Sequence, residues 1–365
     1  MGFRCGIVGL PNVGKSTLFN ALTRTAQAAA ANFPFCTIEP NVGEVPVPDQ
    51  RLETLARLGR SARVIPTRLT FVDIAGLVRG ASRGEGLGNQ FLANIREVDA
   101  IAHVLRCFED ADVAHVEGRV DPVADAETVE TELMLADLDS VERRLQGIVR
   151  RVRGGDKEAA QLERLLNAAR EALAAGRPAR TVAVAPGDLK AWHGLQLLTA
   201  KPVLYVCNVE EAAAASGNAH SRRVERMAAE QGAGCVVISA AIEAEIAQLG
   251  GAERDAFLAE LELAESGLER MIRAGYRLLG LITFFTVGPK EARAWTVPEG
   301  RPAPQAAGVI HTDFERGFIR AEVIAFEDFV ACGSEQAAKE AGRMRVEGKT
   351  YRVRDGDVMH ILFNA

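Results

Sequence analysis

Gly9-Leu10-Pro11-Asn12-Val13-Gly14-Lys15-Ser16 is a complete G-x-x-x-x-G-K-S, set between a strand-like run at Arg4–Val8 and a helical pattern at Ser16–Leu22. That context gives the motif its meaning. Glycines allow successive backbone N–H groups to turn inward around a phosphate, and the helix that follows adds the partial positive charge of its N-terminus. Asn12, Val13, Gly14, Lys15, Ser16 and Thr17 are the candidate phosphate-binding residues. Lys15 is expected to reach the β- and γ-phosphates, and the Ser16 hydroxyl to ligate Mg²⁺.

Two elements downstream narrow the class. Asp73-Ile74-Ala75-Gly76 closes an apolar run at Leu69–Asp73, so Asp73 would hold Mg²⁺ through water and the Gly76 N–H would bond the γ-phosphate. Thr37, about twenty residues past the phosphate loop, stands where a switch segment supplies a third metal oxygen. Together with the phosphate loop they point to a switch-type nucleotide hydrolase, in which water is the nucleophile. Leu77 follows Gly76 where a water-orienting Gln is expected, and an aliphatic side chain cannot take that role. Slow intrinsic turnover, or a substitute group from elsewhere, is the consequence. The loop from Gly76 to Gly88, with Arg79 and Arg83, is glycine-rich and would be ordered by a γ-phosphate.

Guanine-specific members of this class read the base with N-K-x-D. After the run Val203–Cys207 this chain has Asn208-Val209-Glu210-Glu211, and N-K-x-D occurs nowhere. Val209 replaces the Lys that would lie along the base, and Glu211 carries its carboxylate one methylene further out. Adenine offers an acceptor at N1 and no 2-amino group, so the change removes the selection for guanine and points to ATP. Ser239 and Ala240 stand where the last base-contacting loop belongs. GTP use by the same machinery is the alternative.

Outward from these motifs, short β-branched runs alternate with helical patterns, which implies a doubly wound α/β sheet with ligands at the carboxyl ends of its strands. Leu138, Val141, Leu145, Ile148 and Val152 are spaced 3, 4, 3, 4. Gly154-Gly155 interrupts this seam, and Leu162, Leu165, Ala169 and Leu173 resume it. Two antiparallel helices forming an inserted coiled-coil arm are expected. Arg143, Arg144, Arg150, Arg151 and Arg153 on its first helix form either a solvated face or a contact surface for RNA phosphates. From about residue 280 short strands alternate with Gly/Pro-rich turns, with one helical stretch near Phe326–Ala331, marking a small α+β domain. The expected organisation is therefore a P-loop nucleotide-binding domain over 1–126 and 200–280, a helical insertion over 127–199 and a C-terminal domain over 281–365.

Bulk chemistry bounds the partners. The chain has 365 residues and a formal net charge of −6, so nucleic acid could be met only through a local basic patch. Its C-terminal domain is no basic module, with 11 basic and 12 acidic residues from 281 onward. Six cysteines without C-x-x-C spacing are expected to be reduced core thiols. Neither a signal-peptide pattern nor an apolar stretch of membrane-spanning length is present, and position 6 is Gly where a myristoylation pattern needs Ser or Thr. A cytoplasmic protein without membrane contact is expected.

The motifs at 9–16, Asn-Phe-Pro-Phe-Cys-Thr-Ile-Glu-Pro-Asn at 32–41 and Asp-Ile-Ala-Gly-Leu-Val-Arg-Gly-Ala-Ser at 73–82 resemble the YchF/Obg-like ATPase family. So do Asn208–Glu211 and Asp-Gly-Asp-Val-Met-His-Ile-Leu-Phe-Asn at 355–364, and the likeness spans essentially the whole chain. The resemblance implies a G domain with a helical arm and a C-terminal TGS (β-grasp-like) domain, ATP preferred over GTP, and a regulatory role in translation and stress responses. It further implies binding to the ribosome, as 70S particles and large subunit; ribosomal RNA is a candidate partner through the RNA-phosphate reading of the arm's arginines. An adaptor that binds ribosomes and turns over nucleotide incidentally is the other class of function open to such a chain. By resemblance, Asn12 matches an Asn that binds potassium (K⁺), and His115 matches a His considered the stand-in for the missing Gln. His115 could equally be an ordinary loop residue. His103, inside the apolar run Ile101–Leu105, reads as a packed residue. Ile361-Leu362 departs from the more polar pair expected there.

Overall fold

The computed structural model describes residues 3–30, 41–74, 88–110 and 118–364. Its strands are β1 (Arg4–Val8), β2 (Val42–Pro46), β3 (Val64–Ile65), β4 (Arg68–Asp73), β5 (Ala100–Arg106), β6 (Val203–Asn208), β7 (Gly234–Ile238), β8 (Leu281–Val287), β9 (Ala292–Pro298), β10 (Phe318–Ala325), β11 (Arg345–Glu347) and β12 (Asp357–Phe363). The first five helices are α1 (Lys15–Ala30), α2 (Gln50–Leu58), α3 (Gly88–Arg96), α4 (Pro122–Arg153) and α5 (Lys157–Ala174). Two compact units result, one of residues 1–44 and 70–275, the other of 45–69 and 276–365.

The sheet of the first unit has the order β2-β4-β1-β5-β6-β7. β1 pairs in parallel with both β4 and β5, and β5, β6 and β7 continue the parallel ladder. All seven residues of β5 and all six of β6 are buried, which is why these strands read as continuous apolar runs and not as alternating ones. Strand order reverses at β1, so the loops after β1, β5, β6 and β7 open at one sheet edge, where a doubly wound sheet binds its ligand.

The arm is α4 and α5. Asp121 caps α4 with Pro122 at its first turn, and Asp156 caps α5 by accepting from the Glu158 and Ala159 N–H groups. The seam is present: Val141 and Ile148 pack with Leu165, Leu166, Ala169 and Leu173. Trp192, Leu195 and Leu197 close the same core from the returning chain, a contribution that heptad spacing does not reveal. At the arm's root the buried Asp137 accepts from Leu198 N (2.8 Å), Thr199 N (2.8 Å) and Thr199 Oγ1 (2.7 Å).

In the second unit the order is β11-β10-β12-β8-β9-β3. Adjacent residues Phe284 and Phe285 point to opposite faces of β8, one into a core with Val297 and Phe318, the other into a core with Leu52, Leu55 and Phe329. Leu52 and Leu55 lie on α2. The expected assignment of all residues 1–126 to the nucleotide-binding domain is therefore corrected, because residues 45–69 belong to the second unit. The reason is long-range contact: β3 pairs in parallel with β9, and Arg51 Nη1 donates to Asp355 Oδ2 at 2.7 Å. The five described cysteines are free thiols.

Candidate nucleotide-binding site

The phosphate loop begins at Gly9, whose φ of +155° and close approach to β5 exclude a side chain: a Cβ there would lie 2.5 Å from the Val104 carbonyl oxygen. Asn12 then takes the left-handed conformation (φ 62°), tolerated by a short polar side chain. Gly14 has φ +95°, and a Cβ on it would stand 2.3 Å from Asn208 Nδ2. These turns bring the Lys15 amine back over the loop, where Nζ donates to the Leu10 carbonyl at 2.6 Å. Lys15 is 8% exposed, and burial pulls its amine down to about 8 against the opposing charge of Asp73. Burial in turn raises the Asp73 carboxyl, which Lys15 opposes. Ser16 and Thr17 face solvent at the helix start.

Asn208 is the tie between this loop and the base side. Its Nδ2 donates to Val13 O at 2.9 Å, and its Oδ1 accepts from Ala240 N at 2.9 Å. Both polar ends of a buried side chain are thus held by backbone. Val209 is 3% exposed, with its N–H on Ile238 O at 2.9 Å, and it brings no lysine stem to the cavity it lines. Glu211 is exposed at the start of a short 3₁₀ turn. Ser239 is buried beside Ala240, which opens a helix over Ala240–Ile246.

A cavity of about 850 Å³ joins these pieces, lined by the phosphate loop, Asn208–Ala212 and Ser239–Ala241. Asn12, Gly14, Lys15, Ser16, Thr17, Asn208, Val209, Glu211, Ser239 and Ala240 all line it. Val13 and Asp73 are not lining residues; Val13 supplies the carbonyl that Asn208 holds. Thr37, Gly76 and His115 lie outside the described residues, as do Leu77, Arg79 and Arg83. His103 is buried in β5, its imidazole pushed down to about 3 by burial, which accords with a packed residue.

Two features escape the motifs. Phe108, Glu109 and Asp110 form one wall of the cavity. The guanidinium of the buried Arg106 lies 4.7 Å from the Phe108 ring centroid, and Arg106 also donates to the carbonyls of Phe108 (3.2 Å) and Asp110 (3.0 Å). Asn218 caps the helix Ala219–Glu230 while its Nδ2 reaches Cys107 O at 2.6 Å and Glu210 Oε2 at 2.8 Å. It thereby joins the loops after β5 and β6. The position of Phe108 at a strand's carboxyl end was the available signal; Asn218 left none.

The chemistry this arrangement supports is that of a nucleoside triphosphate, with anionic oxygens on the phosphate loop and a ring in the half-apolar cavity beside it. A protein named ribosome-binding ATPase YchF from Haemophilus ducreyi is 57% identical to the chain over 364 residues, covering 100% of both. The chain belongs to the YchF family. The Bacillus subtilis member of the same name is 52% identical over 366 residues, again covering 100% of both chains. A solved structure, the YchF GTPase of Schizosaccharomyces pombe, superposes with a TM-score of 0.89 at 37% identity, covering 99% of this chain and 98% of that one. The YchF-GTPase_C family, described as a protein of unknown function, matches residues 281–364, and a family described as 50S ribosome-binding GTPase matches residues 4–137. The YchF relationship and the phosphate loop make the chain a P-loop nucleotide hydrolase. No helix among the described residues is long and apolar enough to cross a membrane.

The buried amine makes nucleotide affinity pH-dependent, with a definite sign. Phosphate oxygens arriving beside Nζ would raise the Lys15 amine above its value of about 8 in the free protein. Binding is then strongest while Lys15 is already protonated, and above about pH 8 it must take up a proton. ATP affinity measured by calorimetry is expected to fall about tenfold between about pH 7 and pH 9. Lys15→Arg, whose guanidinium stays charged across that range, should flatten the profile. A wild-type profile that is itself flat would contradict the proposed linkage.

Proposed function

We propose that the chain hydrolyses ATP in preference to GTP, and that it does so as a ribosome-associated switch in the cytoplasm. What carries the base preference is Asn208–Glu211. The residue after Asn208 is a buried valine, and the Glu210 carboxylate is engaged by Asn218. With Glu211 displaced from guanine's N1–H and 2-amino group, the pocket has no built reward for guanine. A guanine-reading site discriminates by paired buried hydrogen bonds, and here the pairing is dismantled.

Ser16 and Asp73 fit Mg²⁺, a hard cation that takes one or two protein oxygens and completes its shell with water and phosphate, not with a protein cage. Thr37 would add a third oxygen. Bound Mg²⁺ supplies charge neutralisation on the β- and γ-oxygens. Lys15 binds and orients the same phosphates; water attacks the γ-phosphorus, the β–γ bridging P–O bond breaks, ADP leaves with that oxygen, and the water's protons pass to the released phosphate and solvent. Asn12 would hold the potassium ion; comparing turnover in potassium and sodium chloride tests it, with an expected severalfold slowing in sodium. His115 is proposed as the group that orients the water. Contacts of Thr37 and Gly76 with the γ-phosphate side, made with ATP and lost on hydrolysis, would be the switch, and the names of the relatives support ribosome association as its output.

A competition experiment tests the base preference. Labelled ATP bound with Mg²⁺ is challenged with excess ATP, GTP or CTP. GTP is expected to displace the label at least about tenfold less well than ATP, or about 1.4 kcal/mol. Equal competition by GTP would remove the ATP assignment and leave the phosphate site standing.

A further inference from the structure

Helix α4 is electrically segregated along its length. From Pro122 to Glu142 it carries seven acidic residues and no basic one; from Arg143 to Arg153 it carries five arginines and no acidic one. A helix dipole favours acids at the first turn and bases at the last, but its influence fades within a turn at each end. It does not account for seven acids spread over 21 residues followed by five arginines over 11. At 1.5 Å per residue α4 is about 48 Å long, so the two blocks meet at Glu142-Arg143 but the helix ends lie several Debye lengths apart.

The arginines are also placed outward. At 100° per residue, Arg143 and Arg150 fall on the side opposite the Val141, Leu145, Ile148 and Val152 seam, with Arg144 and Arg151 on one flank and Arg153 on the other. Some are engaged: Arg143 pairs with Asp139, Arg144 donates to Leu195 O at 2.8 Å, and Arg151 pairs with Asp156. Arg150, Arg153 and Lys157, all exposed around the Gly154-Gly155 turn, have no side-chain partner among the described residues. Three cations are therefore left unpaired at the end of the arm, whereas four of the seven acids nearer its root are already buried or paired: Asp125 and Asp137 are buried, Glu130 pairs with Arg180 and Asp139 with Arg143.

We infer that the tip of the arm, around Arg150, Arg153 and Lys157, is a docking surface for an RNA phosphate backbone. The occupant rests on the ribosome-association reading above. A polyanion is attracted to the unpaired cations at the tip, so contact is end-on. Arginine suits this role, since its planar fork grips phosphate oxygens in pairs.

The test is a salt titration of binding to two probes, purified 70S ribosomes and protein-free ribosomal RNA, with wild type and the triple variant Arg150→Gln/Arg153→Gln/Lys157→Gln. Wild-type affinity should fall steeply with salt on both probes. Three lost phosphate contacts should reduce the slope of log affinity against log salt by about 2 to 3. The variant should bind both probes at least about tenfold more weakly at about 0.1 M salt, with ATP binding and thermal midpoint unchanged. Arg150→Lys/Arg153→Lys, which keeps the charge, should retain most of the binding. Unchanged ribosome affinity and slope in the triple variant would overturn the inference and leave ribosome association intact. Weaker ribosome binding with an unchanged slope and no effect on free RNA would mean that the tip meets a protein, which also overturns it. If wild type fails to bind ribosomes at all, the ribosome-association reading falls. The free-RNA arm then decides the tip by the same criteria.

Discussion

Lys15→Ala is expected to lower ATP turnover by about 10² to 10³-fold, measured by phosphate release at saturating nucleotide. The side chain is a nearly buried cation whose neighbours are the Leu10 carbonyl and the Asp73 carboxylate, and its amine is held down to about 8 by burial. A lysine kept partly desolvated in the free protein gains most when phosphate oxygens arrive, and gains further as negative charge spreads over the transferring group. The same desolvation means that the cation disfavours the folded state relative to the unfolded chain at neutral pH. Its removal should therefore cost activity without lowering the thermal midpoint. That pairing of results separates a lost phosphate contact from a collapsed loop. If turnover survives within about threefold, Lys15 does not carry the phosphate. The variant also separates a nucleotide-driven switch from an adaptor. Ribosome association that changes with the variant favours the former, and association untouched by the loss of hydrolysis favours the latter.

Asn208→Ala should act on stability and binding together. It leaves Val13 O and Ala240 N without the partners they have at 2.9 Å, in a place where both are shielded. Unpaired buried polar groups cost about 1–3 kcal/mol each, so a loss of about 2–4 kcal/mol in denaturant unfolding is expected. ATP affinity should fall at least about tenfold, because the phosphate loop and the start of the Ala240 helix lose the crosspiece that sets their spacing. Asn208→Asp keeps an acceptor for Ala240 N and loses the donor to Val13 O, so it should fall between the two. A wild-type midpoint for Asn208→Ala would show that the crosspiece contributes nothing.

The legible parts of this protein are those written in short stretches of chain. The phosphate loop could be read because its backbone turns depend on the residues that make them: glycine at Gly9 and Gly14, a short polar residue at Asn12. The strands expected at Arg4–Val8, Leu69–Asp73, Ile101–Leu105 and Val203–Cys207 are there, and the last two form unbroken apolar runs because they are buried along their whole length. The arm seam at Val141, Ile148, Leu165 and Leu173 follows from helical spacing alone. Even the missing guanine reader was visible, as a valine and a lengthened carboxylate at Val209 and Glu211.

Tertiary structure alone decided what those pieces do to one another. Asn208 reads as a base ligand in sequence, yet in the fold it first ties together two backbone segments, one of them 195 residues away. Asn218, which no motif marks, caps a helix and also joins two walls of the cavity. Residues 45–69 follow the phosphate loop in the chain but fold with the C-terminal unit, since Leu52 and Leu55 find Phe285 and Phe329, and Arg51 finds Asp355 across 304 residues. Local chemistry is encoded where it acts, so a motif or a period reveals it. A contact between distant segments depends on the shape and charge of a partner that nothing nearby in the sequence specifies, and it exists only once the chain has closed on itself.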